Sequence, residues 1–361
     1  MDWSRSTELV GVTLGLRPQS SCYIKKQYQV AMHAWFLDQV SRVSSSLSQI
    51  LHDEQQEKAF TIANLKGELR QEENRVNLLS GHTYYLKVTA LSQPVALFLH
   101  DWIKNLPELI NLYGSSLKII DCQVSLKPNT YSQLWQKNQD NCKTVKLSFV
   151  TPTSFRRKGH HFPLPVPVSL FHSYLRRWNC FCDRAFEQDP FLDWIEESVI
   201  ILRHQLISEK IQVAKSGSVT GFLGAIELNL DKSALKNLEY TQLFYTLSDL
   251  APYCGTGHKT PFGLGETVSG WFLPEMSPFI TPNQSITERI TELKALFLAR
   301  RLRQGGNRGG NMADKLATIL ARRESGESLQ AIALDLKMPY ETVKTYAKLA
   351  RREIRQSAYK V

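Results

Sequence analysis

Apolar residues alternate with small or polar ones over ELVGVTLGLRP (8–18), and Pro18 ends the run, which predicts a first strand. Over QYQVAMHAWFLDQVSRV (27–43) the spacing becomes helical. Ser44-Ser45-Ser46 breaks that helix, and LSQILHD (47–53) predicts a short second one. KAFTIANL (58–65) and HTYYLKVTAL (82–91) read as strands, QPVALFLHDWIKNL (93–106) as a helix and SSLKIIDCQVSL (115–126) as a strand. The order then recurs. VKLSFVTPTSF (145–155) is a strand, and VPVSLFHSYLRRWNCF (166–181) is a helix after the prolines of FPLPVP. KIQVAKS (210–216) and GFLGAIELNL (221–230) are strands around a Gly/Ser turn. LEYTQLFYTLSDLAPY (238–253) is a helix and GETVSGWFL (265–273) a closing strand. No sequence repeat accompanies this repeated order. Two tandem β-α-β-β-α-β units, ferredoxin-like and so RRM-like, account for it: an α+β fold with units over 1–135 and 136–285.

A third region keeps helical spacing. ITERITELKALFLARRLRQ (286–304) is amphipathic and basic, and GGNRGGN (305–311) predicts a flexible linker. MADKLATILARRESG (312–326) reads as a helix stopped at Gly326. SLQAIALDL (328–336), the turn KMP and YETVKTYAKLARREIRQ (340–356) then give a short helix, a tight turn and a longer basic helix. That is a helix-turn-helix pattern and predicts a small all-α domain over 312–361. Ala331-Ile332-Ala333 would pack its first helix, and Val343 and Ala347 its second. Thr342, Lys344, Thr345 and Lys348 would face a groove, which makes DNA one candidate partner. A three-helix appendage for protein contacts is the alternative.

Composition narrows the classes. The 361 residues have room for two or three domains, and 42% hydrophobic with 22% charged content is ordinary for a globular chain. No apolar run reaches the roughly 20 residues that span a bilayer. MDWSRSTELV also lacks the order of a secretory leader, so the expectation is a soluble, cytoplasmic protein without a membrane partner. The six cysteines are scattered, Cys180-x-Cys182 lacks zinc spacing, and the nine histidines form no HExxH; no metal site and no cofactor are expected. The net charge of +10 is uneven: Thr287 to Val361 holds 16 Lys+Arg against 8 Asp+Glu, the other 286 residues 28 against 26. The basic tail implies a polyanion, most simply nucleic acid.

Four stretches carry candidate chemistry. CGTGHKTPFGLG (254–265) has Gly255, Gly257, Gly263 and Gly265 around His258 and Lys259. It fits neither dinucleotide nor Walker-A spacing. Its glycines permit backbone N–H groups to face a phosphate, with Lys259 adding a positive charge; turn glycines are the ordinary alternative. In LHDEQQEKAFTIANL (51–65), His52 ends a short helix and Lys58 begins a strand, so the turn between them can bring the two together. A helix C-terminus favours a cation, which suits a general acid at His52; an exposed polar residue at a helix end is the ordinary alternative. His33 would lie about 28 Å from His52 along a straight helix, so both can serve one site only if the Ser44–Ser46 break folds the chain back. TPTSFRRKGHHF (151–162) and YLRRWN (174–179) supply Arg156, Arg157, Lys158, Arg176 and Arg177. With Phe155 and Trp178 nearby, these pair phosphate contacts with base stacking, or form a solvated basic surface.

Together these pieces resemble the CRISPR-associated repeat-RNA endoribonucleases, the Cas6 family of the RAMP superfamily, over roughly residues 8–275. The doubled ferredoxin-like order, LHDEQQEKAFTIANL and GTGHKTPFGLG carry the likeness. Asp53 stands where the family commonly has Glu, Ala63 where Ser is common, and no Tyr matches on the first helix, where the chain reads His33-Ala34-Trp35-Phe36. The resemblance implies a CRISPR repeat RNA, expected as a hairpin, as partner, with other effector-complex subunits as further candidates. It implies His52 as catalytic histidine and Lys58 as supporting cation, with His33 the candidate for the missing partner. The implied chemistry is metal-free attack of a ribose 2′-OH on the adjacent phosphate, leaving a 2′,3′-cyclic phosphate and a 5′-OH. A noncatalytic subunit that retains the repeat, and a DNA-binding regulator acting through the helix-turn-helix, are the alternatives.

Overall fold

The computed structural model describes residues 2–52, 57–71, 75–139, 143–214, 217–273, 289–291, 293–298, 307–324 and 327–358. It divides into two compact units, Met1–Pro274 and Glu275–Val361.

The first half of the larger unit runs β1 (Leu9–Pro18), β2 (Cys22–Lys25), α1 (Tyr28–Val43), α2 (Ser45–His52), β3 (Phe60–Ile62), β4 (Arg70–Gln71), β5 (Arg75–Leu78), β6 (Tyr84–Ala90), α3 (Gln93–Trp102), β7 (Leu109–Leu112), β8 (Ser115–Asn129) and α4 (Tyr131–Lys137). The main sheet has the order β3-β6-β1-β8-β7, each neighbouring pair antiparallel. Strands β1, β3, β6 and β8 are the four of a ferredoxin-like unit, and β7 widens the sheet as a hairpin with β8. A second small sheet, β2-β5-β4, stands apart. Its strands of two to four residues are too short for period-two alternation to mark them. Helices α1 and α3 cover one face, where Met32, Phe36 and Val40 meet Val95, Phe98, Leu99 and Trp102 in one core.

The second half repeats the plan: β9 (Val145–Thr153), a hairpin β10 (Phe155–Arg157) and β11 (His160–Phe162), α5 (Pro167–Phe181), α6 (Gln188–Ser198), β12 (Val199–Ala214), β13 (Gly217–Leu230), α7 (Leu238–Cys254) and β14 (Thr267–Ser269). Its sheet order, β12-β13-β9-β14, matches the first when strands are counted within each half. Three elements depart from the sequence reading. Strand β12 begins at Val199, eleven residues before the expected start. It pairs with β13 alone, leaving Ile200, Ile201 and Leu202 40% or more exposed. Helix α6, which buries only Phe191, Ile195 and Ser198, lay unread before it. The closing strand stops at Ser269 because Gly270, at φ +110°, turns the chain while its N–H bonds the Lys146 carbonyl. The turn residues 215–216 lie outside the described residues.

The halves share buried contacts. Tyr131 and Leu134 of α4 pack in the second core, with Leu9 and Leu91. The Tyr131 hydroxyl donates to the Leu91 carbonyl (2.8 Å) and the Thr89 hydroxyl to the Tyr253 carbonyl (2.6 Å). The Glu266 carboxylate, with a side chain only 5% exposed, accepts from Lys87 (2.7 Å) and Lys66 (2.9 Å). Burial pushes this acid up, but the two ammonium groups outweigh it and hold it below the usual carboxylate range.

In the smaller unit, residues 289–291 and 293–298 are helical, followed by α8 (Asn307–Glu324), α9 (Leu329–Asp335) and α10 (Tyr340–Ala358). Residues 307–311, expected as linker, are therefore helix. The interior glycines cost about 1 kcal/mol each, and the stripe Ala313, Leu316, Ala317 and Leu320 anchors the helix that extends back through them. Leu293 and Phe297 pack on that stripe, so the basic helix belongs to this unit rather than standing outside it. Of the sequence expectations, 286–288, 299–304 and 305–306 lie outside the described residues. Ile332, Ala333, Val343 and Ala347 are buried as the pattern predicts, whereas Ala331 is exposed. Among the described residues no helix is long and apolar enough to cross a membrane.

Glu266→Ala leaves two cations without their acid, one of them largely enclosed. The expected loss is roughly 2–3 kcal/mol, below the full cost of orphaning a buried charge because Lys66 reaches solvent. Urea unfolding checks it as a lowered midpoint at unchanged slope.

Candidate active site and nucleic-acid surface

Ser44 ends α1 in an extended conformation (φ −150°, ψ 106°), and its hydroxyl accepts from the Leu47 N–H (3.2 Å), opening α2. The break folds α2 back along α1, burying Ser48 and Leu51. Helix α2 ends at His52, which is exposed. When the chain re-enters at Lys58, its ammonium donates to the Leu51 carbonyl (2.9 Å), one of the acceptors a helix C-terminus leaves unpaired. His33, on α1, stacks against Phe262 at 4.2 Å and Phe60 at 5.7 Å between ring centroids. Burial, then the charges of Lys58 and His52, pull the His33 imidazole down to about 4. The three side chains expected to act together thus share one electrostatic environment, with His33 neutral at pH 7. Among the described residues its buried Nε2 has no hydrogen-bond partner. Trp35 packs against Trp102, in the first core. Asp53 lies outside the described residues.

The glycine loop builds one wall of this site. Gly263 donates its N–H to the Ile62 carbonyl (3.0 Å) at the end of β3, with φ at +78°. A Cβ there would stand 2.0 Å from Asn64 Oδ1, so only glycine permits the approach that lays Phe262 on His33. The other glycine amides, with those of Thr256 and His258, face inward. Gly255 donates to Ala251, Thr256 to Gly265, His258 to Ser154 and Gly265 to Pro152, all carbonyls, and Gly257 to the Ser173 hydroxyl. For these amides the expectation of phosphate binding fails, because their hydrogen bonds are already made within the protein.

Arg177 is a second correction. It is 6% exposed, donates to the Ser173 carbonyl (2.9 Å), the Ser173 hydroxyl (2.7 Å) and the Gly257 carbonyl (2.8 Å), and lies 3.7 Å from Glu57. It holds the loop rather than facing a ligand. Arg176 points outward and pairs with the same Glu57. Phe155 and Trp178 are 8% and 1% exposed and serve the core, which removes them as stacking platforms. Trp178 donates its indole N–H to the Arg184 carbonyl (2.6 Å).

The surface cations that remain gather on the β10–β11 hairpin. Lys158 and Gly159 both take positive φ (47° and 82°), as a two-residue hairpin turn requires. Arg156, Arg157, Lys158 and His160 are exposed around it. The His161 and His258 rings stack at 5.2 Å, and His258 Nδ1 bonds the Ser154 carbonyl (2.7 Å). Burial and then Arg156 lower both His161 and Lys259, so the loop and the hairpin form one cationic cluster. Beside the loop, a groove of about 460 Å³ is lined by Lys26, Gln29, Asn64, Lys66, Glu209 and Lys210 among others. Gln29 Oε1 and Asn64 Oδ1 are buried with no partner among the described residues. Two contributors escaped the sequence reading: Phe262, whose only signal was a lone aromatic within a glycine loop, and Glu57, one more acid in a polar run.

Burial brings His258 as well as His33 to about 4, against an ordinary value of about 6.5 for an unfolded histidine. Between those values the unfolded chain binds the protons, so the stability these residues contribute is present above pH 6.5 and lost as pH falls toward 4. Thermal melts should show the midpoint dropping across that window, and His258→Gln should flatten the drop.

The fold has known counterparts. The CRISPR Cas6 N-terminal domain family matches residues 10–97, and the family of the CRISPR-associated endoribonuclease Cas6 matches residues 147–267. Among solved structures, a product complex of Cas6 (TTHB231) from Thermus thermophilus is 26% identical, at 73% coverage of this chain and 100% of that one, with a TM-score of 0.59. A Cas6 (TTHA0078) product complex, at 20% identity, 73% and 99% coverage and a TM-score of 0.56, shares the fold. No curated protein matches the chain.

Proposed function

The chain belongs to the CRISPR-associated Cas6 family, and on that premise we propose that it cuts precursor CRISPR RNA within its repeats, without a metal ion. The reaction is attack of a ribose 2′-OH on the adjacent phosphate, leaving a 2′,3′-cyclic phosphate and a 5′-OH. The observation that carries this reading is the meeting of His52, Lys58 and His33 where α1, α2 and β3 converge beneath Phe262.

The exposed imidazole of His52 protonates the departing 5′ oxygen. Lys58, held on the last turn of α2, sets its charge beside the phosphorane, whose extra negative charge it stabilises. His33 is the base: being neutral, it need lose no proton before accepting one. At about 4 it is a weak base until an RNA phosphate arrives. That anion opposes the charges of Lys58 and His52 and raises the proton affinity of His33. Access to its Nε2 requires the Phe262 ring to shift as RNA binds. Arg156, Arg157, Lys158, Lys259 and Arg176 contact the backbone of a repeat hairpin. The loop glycines act through shape, by seating Phe262 and Lys259. Because the nucleophile belongs to the ribose, the reaction distinguishes RNA from DNA without a sugar pocket.

Purified protein with repeat RNA in EDTA should cleave the normal strand and spare one deoxy-substituted at the scissile nucleotide. His52→Ala should keep RNA affinity and lower cleavage at least 100-fold, the order expected for lost acid–base catalysis. Equal cleavage of both strands, a strict need for metal, or near-normal turnover by His52→Ala would sink the mechanism. Tight binding without cleavage would instead identify a subunit that retains the repeat.

A further inference from the structure

We propose that the smaller unit is a second nucleic-acid site, which reads duplex DNA by laying helix α10 in the major groove. This goes beyond the RNA reaction and does not depend on it.

The turn between α9 and α10 is tightly held. Ser328 caps α9 by accepting from the Ala331 N–H (3.1 Å). Lys337, in the left-handed region at φ +50°, reverses the chain, and the Met338 N–H returns to the Ala333 carbonyl (2.9 Å). Pro339 then starts α10, its carbonyl accepting from Thr342 and Val343. Ile319, Ile332, Ala333, Val343 and Ala347 lock the helices into one core. The small Ala333 and Ala347 permit close approach.

Helix α10 therefore has two different faces. Val343, Ala347 and Ala350 are buried along one stripe. Glu341, Lys344, Thr345, Lys348, Arg351 and Arg352 are exposed at helical spacing along another. The neighbouring acids are neutralised from within: Arg322 pairs with both Glu327 and Asp335. What α10 presents is a cationic ridge from Lys344 to Arg352, about 12 Å along the helix. Lys344 pairs with exposed Glu341 at 3.3 Å and lies 5.9 Å from the Tyr340 ring centroid, surface contacts that a phosphate or base edge readily replaces.

A ridge of this kind discriminates between duplexes. The major groove of B-DNA, about 12 Å wide, admits an α-helix, while that of A-form RNA is too deep and narrow for side chains to read. Docked by its N-terminal end, α10 brings Lys344 and Thr345 to base edges and Lys348, Arg351 and Arg352 to phosphates.

The test selects from random-sequence DNA duplexes about two helical turns long with the full chain, then measures the selected duplex against variants and against an RNA duplex of the same sequence. Enrichment of one sequence is expected. Lys344→Ala and Thr345→Ala should weaken binding about tenfold and relax the base preference. Lys348→Ala should weaken all DNA alike and lower the salt dependence by about one counterion. All three lie on the surface, so helical circular dichroism should be unchanged, as should cleavage of repeat RNA. The proposal is overturned if no sequence is enriched, if the RNA duplex competes equally, or if the three variants bind DNA like the unaltered chain.

Discussion

The approach of the glycine loop to the end of β3 governs the larger unit. It requires a residue at position 263 with positive φ and no Cβ, because Asn64 already fills the space a side chain would take. Once that contact closes, Phe262 covers His33 and the imidazole loses water. The altered proton affinity of His33 is therefore a consequence of a backbone contact made some 230 residues later in the chain. A loop that first suggests phosphate binding works by exclusion: it makes the environment in which a histidine stays neutral among cations.

A buried charge completes the same junction. Arg177 donates to two atoms of Ser173 on α5 and to the carbonyl of Gly257, and it approaches Glu57 on the segment leading to β3. One guanidinium thus joins a helix, the loop and the segment that leads into β3, with fixed donors that suit such a role better than a lysine. Its neighbour Arg176 lies about 100° around the helix and emerges into solvent. Adjacent arginines in YLRRWN look alike as sequence and divide between scaffold and surface in the fold.

The same distinction decides what the sequence could reveal. Buried strands such as β1 and β6 announce themselves, as does the Ser44 break, so the doubled order and the fold class are legible. Strand β12 is not, because consecutive residues from Ile200 on both its faces meet solvent, so no alternation marks its start. The chemical types at His33, His52 and Lys58 are legible, and the Ser44 break even suggests how they meet. Whether a glycine amide is free is not legible, since its acceptor (Ser173, Pro152, Ile62) lies far away in sequence. Nor is helix across Gly309 and Gly310, where local propensity says linker and packing further along says otherwise.

The two units carry their cations differently. Outside the last 75 residues the charges nearly balance, 28 against 26, so attraction there depends on where cations are placed. The β10–β11 hairpin, with Lys259 beside it, gathers several of them on one surface. At physiological salt such a patch is felt over only about 8 Å, so it orders a nucleic acid already in contact more than it gathers one from solution. The tail, with 16 cations to 8 acids, carries the broader field. On the proposed reading, selectivity for RNA rests on the 2′-OH that the transesterification demands, and selectivity for DNA on the width of the groove that admits α10.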